Sequence, residues 1–288
     1  MFDKLDNRYC LSGKLTVTGG VHVGGGVSTG TVDMAVVRRR AGQPYVPGSS
    51  LRGVLRSAVE RTLATLEPGR VCMLFDKASH DYCPTVRESA RLKIQALVDS
   101  NRLDDARQTL LGDRQAEGQL CDICRLFGSP FVASKLKFSD LPAVGNPGAN
   151  TRHGVGIDRD TGAARENIKF ELEVVEGSSA GLAFSFALMG ENLQRVPAGN
   201  PDFALLGLAL KSISQGLTVG GKTGSGLGSC RLQIEKVRYF DNLGDHGLLQ
   251  FLEAKPDDDP YATMTLPEFH TLVYGQMRTY LGMEVVHA

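Results

Sequence analysis

The chain has 288 residues, of which 42% are hydrophobic and 22% are charged, a composition typical of a globular protein with one large domain or two small ones. The 32 basic and 32 acidic side chains cancel at pH 7, so the charge excludes a wholly basic nucleic-acid coat and an acidic disordered tail but permits a local basic face. Glycine is enriched, at 34 residues or about 12% of the chain against a usual fraction of roughly 7%.

The N-terminal residues 1–9 mix both charge signs and contain no apolar segment, so we expect no secretory signal. No apolar run approaches the roughly 20 residues that a membrane-spanning helix needs. The six cysteines are therefore expected in a reducing cytoplasm, where grouped cysteines bind metal more often than they form disulfides.

The first third of the chain predicts a strand, a glycine-rich segment and a long helix. Residues 9–18 alternate apolar and polar side chains, as a half-buried strand does. The glycine-rich segment covers residues 19–26. An apolar stripe with a 3.6-residue period then predicts a helix over residues 51–66, with Ser49 or Ser50 as its N-cap.

The remaining elements follow in an order that predicts the fold. Residues 70–126 are interpreted as an insertion that carries four cysteines and two short amphipathic helices near 87–98 and 102–112. After it we predict a strand at 135–141, a projecting segment at 146–168, a hairpin pair at 170–176 and 182–189, a helix at 202–217, a glycine loop at 220–228, a strand at 230–240, and helices near 245–254 and 266–282. The core order of strand, helix, strand, strand, helix, strand predicts an α+β, ferredoxin-like fold.

Four cysteines predict a structural zinc site. Cys121 and Cys124 form a Cys-x-x-Cys pair, a spacing at which two thiolates bind one tetrahedral ion. Cys72 and Cys83 would complete the set, and His80 is a rival fourth ligand because imidazole also suits zinc. Two alternatives remain open: four unrelated reduced cysteines, and a redox pair, which the absence of a surrounding β-α-β pattern disfavours.

Two further segments indicate phosphate binding. Arg52 and Arg56 share one face of the helix start, where free backbone N–H groups attract anions; the alternative is a capped helix with solvated arginines. The loop at 220–228 lacks the order of a P-loop, but its glycines and Lys222 would suit a sugar–phosphate backbone. The alternative there is a mobile turn.

Together these motifs resemble the RAMP superfamily, specifically the repeated backbone subunit of type III CRISPR effector complexes. The resemblance runs in order over about residues 9–240 and leaves the last fifty residues unmatched. It is carried by GVHVGG at 20–25, Asp33 followed by VVR at 36–38, QPYVPGSSLRG at 43–53, RLFGS at 125–129, TRHGVGIDR at 151–159, and the glycine loop.

The resemblance implies one RAMP domain that polymerises along a CRISPR guide RNA and binds complementary target RNA. Its partners would be copies of itself, related RAMP subunits and other type III effector subunits, with no membrane. The implied parts are a palm resembling an RNA-recognition motif at about 9–66, 130–145 and 170–240 and a thumb hairpin at 146–168. The cysteine insertion at 70–126 and a C-terminal helical extension at 241–288 depart from the simplest members of the family.

The resemblance also implies roles for individual residues. Guide phosphates would be held by His22, Ser49, Ser50, Arg52 and Arg56 on the palm and by Gly221, Lys222 and Gly224 in the loop. The thumb would wedge through the guide–target duplex, with Arg152, Ile157 and Arg159 near its tip.

Asp33 matches the aspartate that, with Mg²⁺ or Mn²⁺, cuts target RNA beside each thumb in that family. A carboxylate can position a hydrated metal ion or polarise a ribose 2′-hydroxyl for attack on the neighbouring phosphate. Two alternatives remain: a structural subunit in which Asp33 is silent, and a stand-alone guide-processing endoribonuclease in which His22 supplies one catalytic group.

Overall fold

The computed structural model describes residues 4–25, 32–66, 71–72, 83–112, 118–177, 181–255 and 258–283. Within these ranges the strands are β1 (Asn7–Thr18), β2 (Gly20–Val21), β3 (Tyr45–Val46), β4 (Leu136–Phe138), β5 (Leu141–Pro142), β6 (Gly148–Ile157), β7 (Ala164–Glu176), β8 (Leu182–Glu191), β9 (Leu217–Thr218), β10 (Ser229–Asp241) and β11 (Ala262–Met264). The helices are α1 (Gly48–Leu66), α2 (Glu88–Asp99), α3 (Leu103–Leu111), α4 (Asp122–Phe127), α5 (Asp202–Gln215), α6 (Leu248–Glu253) and α7 (Leu266–Tyr280). None of the described helices is long and apolar enough to cross a bilayer.

The main sheet is antiparallel and has β1 near its centre. Its order is β11-β10-β1-β8-β4, and β9 adds to β10. β1 alternates as the sequence predicts, burying Tyr9, Leu11, Leu15 and Val17 while the intervening residues are more exposed. The sheet therefore has one face that must be covered by helices.

Helices α1 and α5 supply that cover. α1 buries an apolar stripe of Leu51, Leu55, Val59 and Leu63, which fits the 3.6-residue period of its sequence. α5 is buried almost all round because it contacts α1, α7 and β10.

The C-terminal segment is part of this core. α7 buries Phe269, Val273 and Tyr280 and packs closely on α5, where an added Cβ at Gly207 would lie 2.5 Å from the Val273 carbonyl oxygen. β11 extends the main sheet beyond β10. The segment predicted as a helical extension thus completes the packing of its own chain.

A second, three-stranded sheet forms a long hairpin. β6 pairs antiparallel with β7 from Gly148↔Glu176 to Val155↔Lys169, and β2 pairs with the other edge of β7. The predicted hairpin pair at 170–176 and 182–189 is therefore wrong, since β8 joins the main sheet instead. Both strands alternate, and a period of two identifies a strand without identifying its partner.

Candidate nucleic-acid interface

The start of α1 presents two hydroxyl side chains to solvent. Asp140 Oδ1 accepts a hydrogen bond from Gly48 N at 3.0 Å, so the carboxylate of Asp140 satisfies the first helical N–H. Ser49 and Ser50 lie inside the first turn, and the prediction that one of them is the N-cap is wrong. Neither hydroxyl has a hydrogen-bond partner among the described residues, and both lie beside the positive end of the helix dipole.

The glycine loop packs against residues 20–25 through its backbone. Gly221 N donates to the His22 carbonyl at 2.8 Å, and Gly228 N donates to the Gly20 carbonyl at 2.9 Å. Gly220 has φ +88°, and an added Cβ there would lie 2.3 Å from the His22 carbonyl oxygen. Glycine at this position is what allows the two segments to touch.

An open groove of about 600 Å³ lies between α1, the glycine loop and the glycine-rich segment. Among the residues that the structure describes, its walls carry serine hydroxyls, exposed backbone and one guanidinium, and none of the lining residues is acidic. They are Val23, Gly24, Ser49, Ser50, Gly53, Val54, Ser57, Arg61, Leu217, Thr218, Gly220 and Gly221. Hydroxyl groups, backbone N–H groups and arginine are the donors that proteins use to bind phosphates.

The groove brings together three of the predicted RNA-binding residues, namely Ser49, Ser50 and Gly221. It also contains Arg61, which the sequence analysis missed. Ser50, Ser57 and Arg61 recur at helical spacing, so they share a face. That spacing was the signal available in the sequence.

Arg52 and Arg56 contact a different part of the molecule. Arg52 Nη2 donates to the Phe127 carbonyl. Arg56 Nη1 donates to the Gly128 carbonyl at 2.9 Å and Nη2 to Cys124 Sγ at 3.4 Å. At 3.6 residues per turn the two arginines lie about 100–180° around α1 from Ser50, Ser57 and Arg61, so the groove lining does not include them.

The pKa values of the two guanidinium groups shift in opposite directions, although burial lowers both. Desolvation, with Arg56 nearby, lowers the pKa of Arg52. Desolvation also opposes the charge on Arg56, but Cys124 and Glu60 outweigh it and raise its pKa. Arg56 therefore carries a firmly held positive charge against the sulfur of Cys124.

Cys72, Cys83, Cys121 and Cys124 form one buried cluster, as predicted. Their Sγ atoms all lie within 4.8 Å of one another, and the Cys72 sulfur lies 3.4 Å from Cys121 Sγ and 3.3 Å from Cys124 Sγ. A tetrahedral ion with Zn–S bonds of about 2.3 Å needs sulfurs roughly 3.8 Å apart, so the four thiols are close enough to hold a metal ion. His80, the rival ligand, lies outside the described residues.

His22 is buried, at 6% exposure. Its Nδ1 lies 2.8 Å from the Glu173 carbonyl oxygen, and because a carbonyl only accepts, Nδ1 carries the proton. Through its ring and its own carbonyl, His22 joins strand β7 to the glycine loop.

Asp33 lies beside the middle of the hairpin and is exposed. Its Oδ2 accepts a hydrogen bond from Glu171 N at 2.8 Å. The next residue, Met34, forms a parallel β-bridge with Leu172. Met34 and Phe170 pack on a small cluster of Leu172, Val174 and Leu227. Asp33 is thus fixed to strand β7 by its side chain and by its neighbour.

The hairpin exposes two of its three predicted contact residues at its tip. Ile157 is 58% exposed. Arg159 is exposed in the turn between β6 and β7, where Asp158 N donates to the Ala163 carbonyl at 2.9 Å. Arg152 lies midway along β6 and forms an ion pair with Glu176 at 2.6 Å. Its predicted place near the tip is therefore wrong.

The glycine loop also contacts the hairpin. Lys222 Nζ lies 4.6 Å from the centre of the Phe170 ring, within the range of a cation–π interaction. Lys222 itself adopts a left-handed backbone, with φ +56°. Lys222 therefore connects the groove region with the middle of the hairpin, next to the part of β7 that holds Asp33.

Two glycines of the loop should respond differently to alanine. Gly220→Ala introduces strain at φ +88° and a clash with His22, so we expect a loss of about 1–3 kcal/mol in the free energy of unfolding. Gly224→Ala meets no described atom within 4 Å and should leave stability unchanged. Thermal denaturation of the two variants measures the difference, and an equal loss in each would contradict this account of the loop.

A family model described as the RAMP superfamily matches residues 14–231, from within β1 to within β10. No curated protein matches the chain. The matched range includes the groove, the hairpin and the four cysteines, and it leaves out β11 and α7.

Proposed function

The chain belongs to the RAMP superfamily, and from this membership we propose that it is a guide-RNA-binding backbone subunit of a type III CRISPR effector complex. In this proposal, copies of the chain or related RAMP subunits assemble along the guide, pair it with target RNA and cut the target at regular intervals. The observation that carries the proposal is the groove between α1 and the glycine loop, which has phosphate-binding donors and no acidic residue among its described lining residues.

We assign the main sheet as the ferredoxin-like palm of this family. Its core elements in chain order are β1, α1, β4, β8, α5 and β10, and the four strands lie in the antiparallel order β10-β1-β8-β4. A split β-α-β unit used twice has this arrangement. The β6–β7 hairpin then serves as the thumb and the cysteine insertion as a lid.

The guide would follow the groove past Ser49, Ser50 and the loop glycines, with Lys222 and Gly224 further along the same path. Phosphate contacts of this kind fix the register of an RNA strand without reading its sequence. The four cysteines are proposed to hold zinc, because an all-thiolate set suits a closed structural site.

Asp33 is proposed as the residue that cuts the target. Its exposed carboxylate lies beside the thumb, and a single protein carboxylate together with RNA phosphate oxygens is a usual donor set for Mg²⁺. A divalent ion bound there would stabilise the charge that develops on the phosphate. The ribose 2′-oxygen would attack the adjacent phosphorus as the bond to the 5′-oxygen breaks, which leaves a 2′,3′-cyclic phosphate and a 5′-hydroxyl.

The hydrogen bond from Glu171 N to Asp33 favours a second candidate, a silent structural subunit, because this contact by itself explains an acid at that position. The third reading, a stand-alone guide-processing enzyme based on His22, has less support. His22 is buried and its Nδ1 is already bonded to the Glu173 carbonyl.

A salt titration of RNA binding tests the guide path. Arg61→Ala removes a groove charge and should reduce the slope of log affinity against log salt by about one, because one fewer counterion is released. Arg56→Ala, on the opposite part of α1, should lower stability and leave that slope unchanged.

The reverse result would contradict the groove. If Arg56→Ala flattens the slope and Arg61→Ala does not, the guide follows the arginine face that the sequence analysis predicted. Circular dichroism of both variants provides the control for folding.

A further inference from the structure

Glu173 lies where three segments of the chain meet. It belongs to β7, and its backbone N donates to the Met34 carbonyl at 3.0 Å. Its carbonyl accepts from His22 Nδ1 at 2.8 Å. Its carboxylate accepts from Val36 N at 2.9 Å through Oε2 and from Arg38 Nη2 at 2.5 Å through Oε1.

These contacts hold the segment that carries Asp33. Residues 32–38 run between β7 and the glycine-rich segment, to which they are joined by Gly25 N on the Ala35 carbonyl at 3.0 Å and Val37 N on the Val23 carbonyl at 2.8 Å. Within this arrangement the Glu173 side chain contacts the C-terminal half of the segment. Asp33 anchors the other end through Glu171 N.

The carboxylate is suited to this role. The Glu173 side chain is only 19% exposed, so its ion pair with Arg38 is partly shielded from water. Its second oxygen accepts from the Val36 N–H, which has no other acceptor among the described residues. Hydrogen bonds to a charged acceptor are about twice as strong as neutral ones. Removing the charge should therefore release the segment while the hairpin itself remains paired.

We propose that Glu173 is a positioning residue that holds the Asp33 segment in register with the hairpin. The inference deepens the proposed function and rests on it, because the consequence for the reaction requires Asp33 to be the cutting residue. Glu173 makes no contact with the reacting phosphate in this account. It acts through Val36 and Arg38 on the placement of Asp33.

The test combines proteolysis of the isolated protein with cutting by the assembled complex. Glu173→Gln keeps the size of the side chain and removes its charge. Arg38 ends the held segment, and Arg39 and Arg40 follow it. Tryptic cleavage after these arginines should become about tenfold faster, as expected for loss of a charged hydrogen bond that opposes local opening. Glu171→Gln is the matched control, since its side chain contacts only the exposed His153 among the described residues and its backbone N remains.

In the assembled complex, Glu173→Gln should slow target cutting by roughly tenfold and leave guide affinity unchanged. Arg38→Gln, which loses the ion pair but keeps the Val36 contact, should have a smaller effect. The effects of the two substitutions should not add in the double variant, because both remove the same ion pair.

The outcomes distinguish the positioning role of Glu173 from the proposed nuclease function. Proteolysis of Glu173→Gln at the wild-type rate would overturn the positioning role whether or not the complex cuts RNA. Faster proteolysis with undiminished cutting would also overturn it. A wild-type complex that never cuts would overturn the nuclease function and the positioning role that depends on it. Proteolysis would then report only whether Glu173 holds the 32–38 segment.

Discussion

Asp33→Asn should abolish target cutting at every regularly spaced position of an assembled complex while guide binding and target capture are retained. Asparagine keeps an oxygen that can accept from Glu171 N, so the segment should remain in place. It loses the charge that binds a divalent ion or polarises the 2′-hydroxyl. Removal of such a group typically costs about 10²–10⁴ in rate.

The reaction provides three independent measurements. Wild-type cutting should require a divalent cation, the upstream product should end in a 2′,3′-cyclic phosphate, and a 2′-deoxy nucleotide at one cleavage position should block cutting at that position alone. Asp160→Asn, in the exposed turn of the hairpin, is the carboxylate control and should cut normally. If Asp33→Asn cuts the target at the wild-type rate, another residue performs the reaction. If the wild-type complex does not cut at all, the result favours the silent subunit.

Cys121→Ser should remove the bound metal and destabilise the chain. The cluster lies beside the groove helix, because Arg56 contacts both Cys124 and the Gly128 carbonyl. Loss of one thiolate from a closed structural site forfeits much of the metal's contribution to folding, which we expect to exceed about 3 kcal/mol, or roughly 6–12 °C in melting temperature for a chain of this size.

Elemental analysis and thermal denaturation measure the two effects. Wild-type protein purified without chelator should contain one zinc per chain. Cys10→Ser, at a half-buried cysteine in β1, should retain both the metal and the stability. Wild-type protein without metal, or an equal loss in the Cys10 variant, would contradict the assignment.

The elements with strong local patterns were predicted well from sequence. Apolar residues recur at helical spacing in α1, α5 and α7. In each helix these apolar residues are buried in the structure. The cysteine set was also predictable, because a Cys-x-x-Cys pair constrains two ligands locally and few other cysteines were available to complete it. Those signals depend on residues near one another in the chain.

What depended on long-range packing was not predictable. Arg52 and Arg56 were placed correctly on one face of α1, but nothing local indicates that the neighbour of that face is the backbone of Phe127 and Gly128. In the sequence, Glu173 is one polar residue in an alternating strand. In the structure, its carboxylate binds Val36 and Arg38, which lie 135 or more positions earlier in sequence. A single sequence does not indicate which distant residues will contact one another after folding.

The central position of β1 determines when this protein can fold. Asn7 pairs with Asp241, and Arg8 pairs with Glu191, so both edges of β1 stay unpaired during synthesis until β8 and β10 have been made. Sheets closed by contacts of such high sequence separation form slowly, and their unpaired edges promote aggregation. α7 covers α5 only after β11 has emerged. Expression at low temperature, or with a chaperone that shields β-edges, should therefore raise the yield of this subunit more than changes to its surface would.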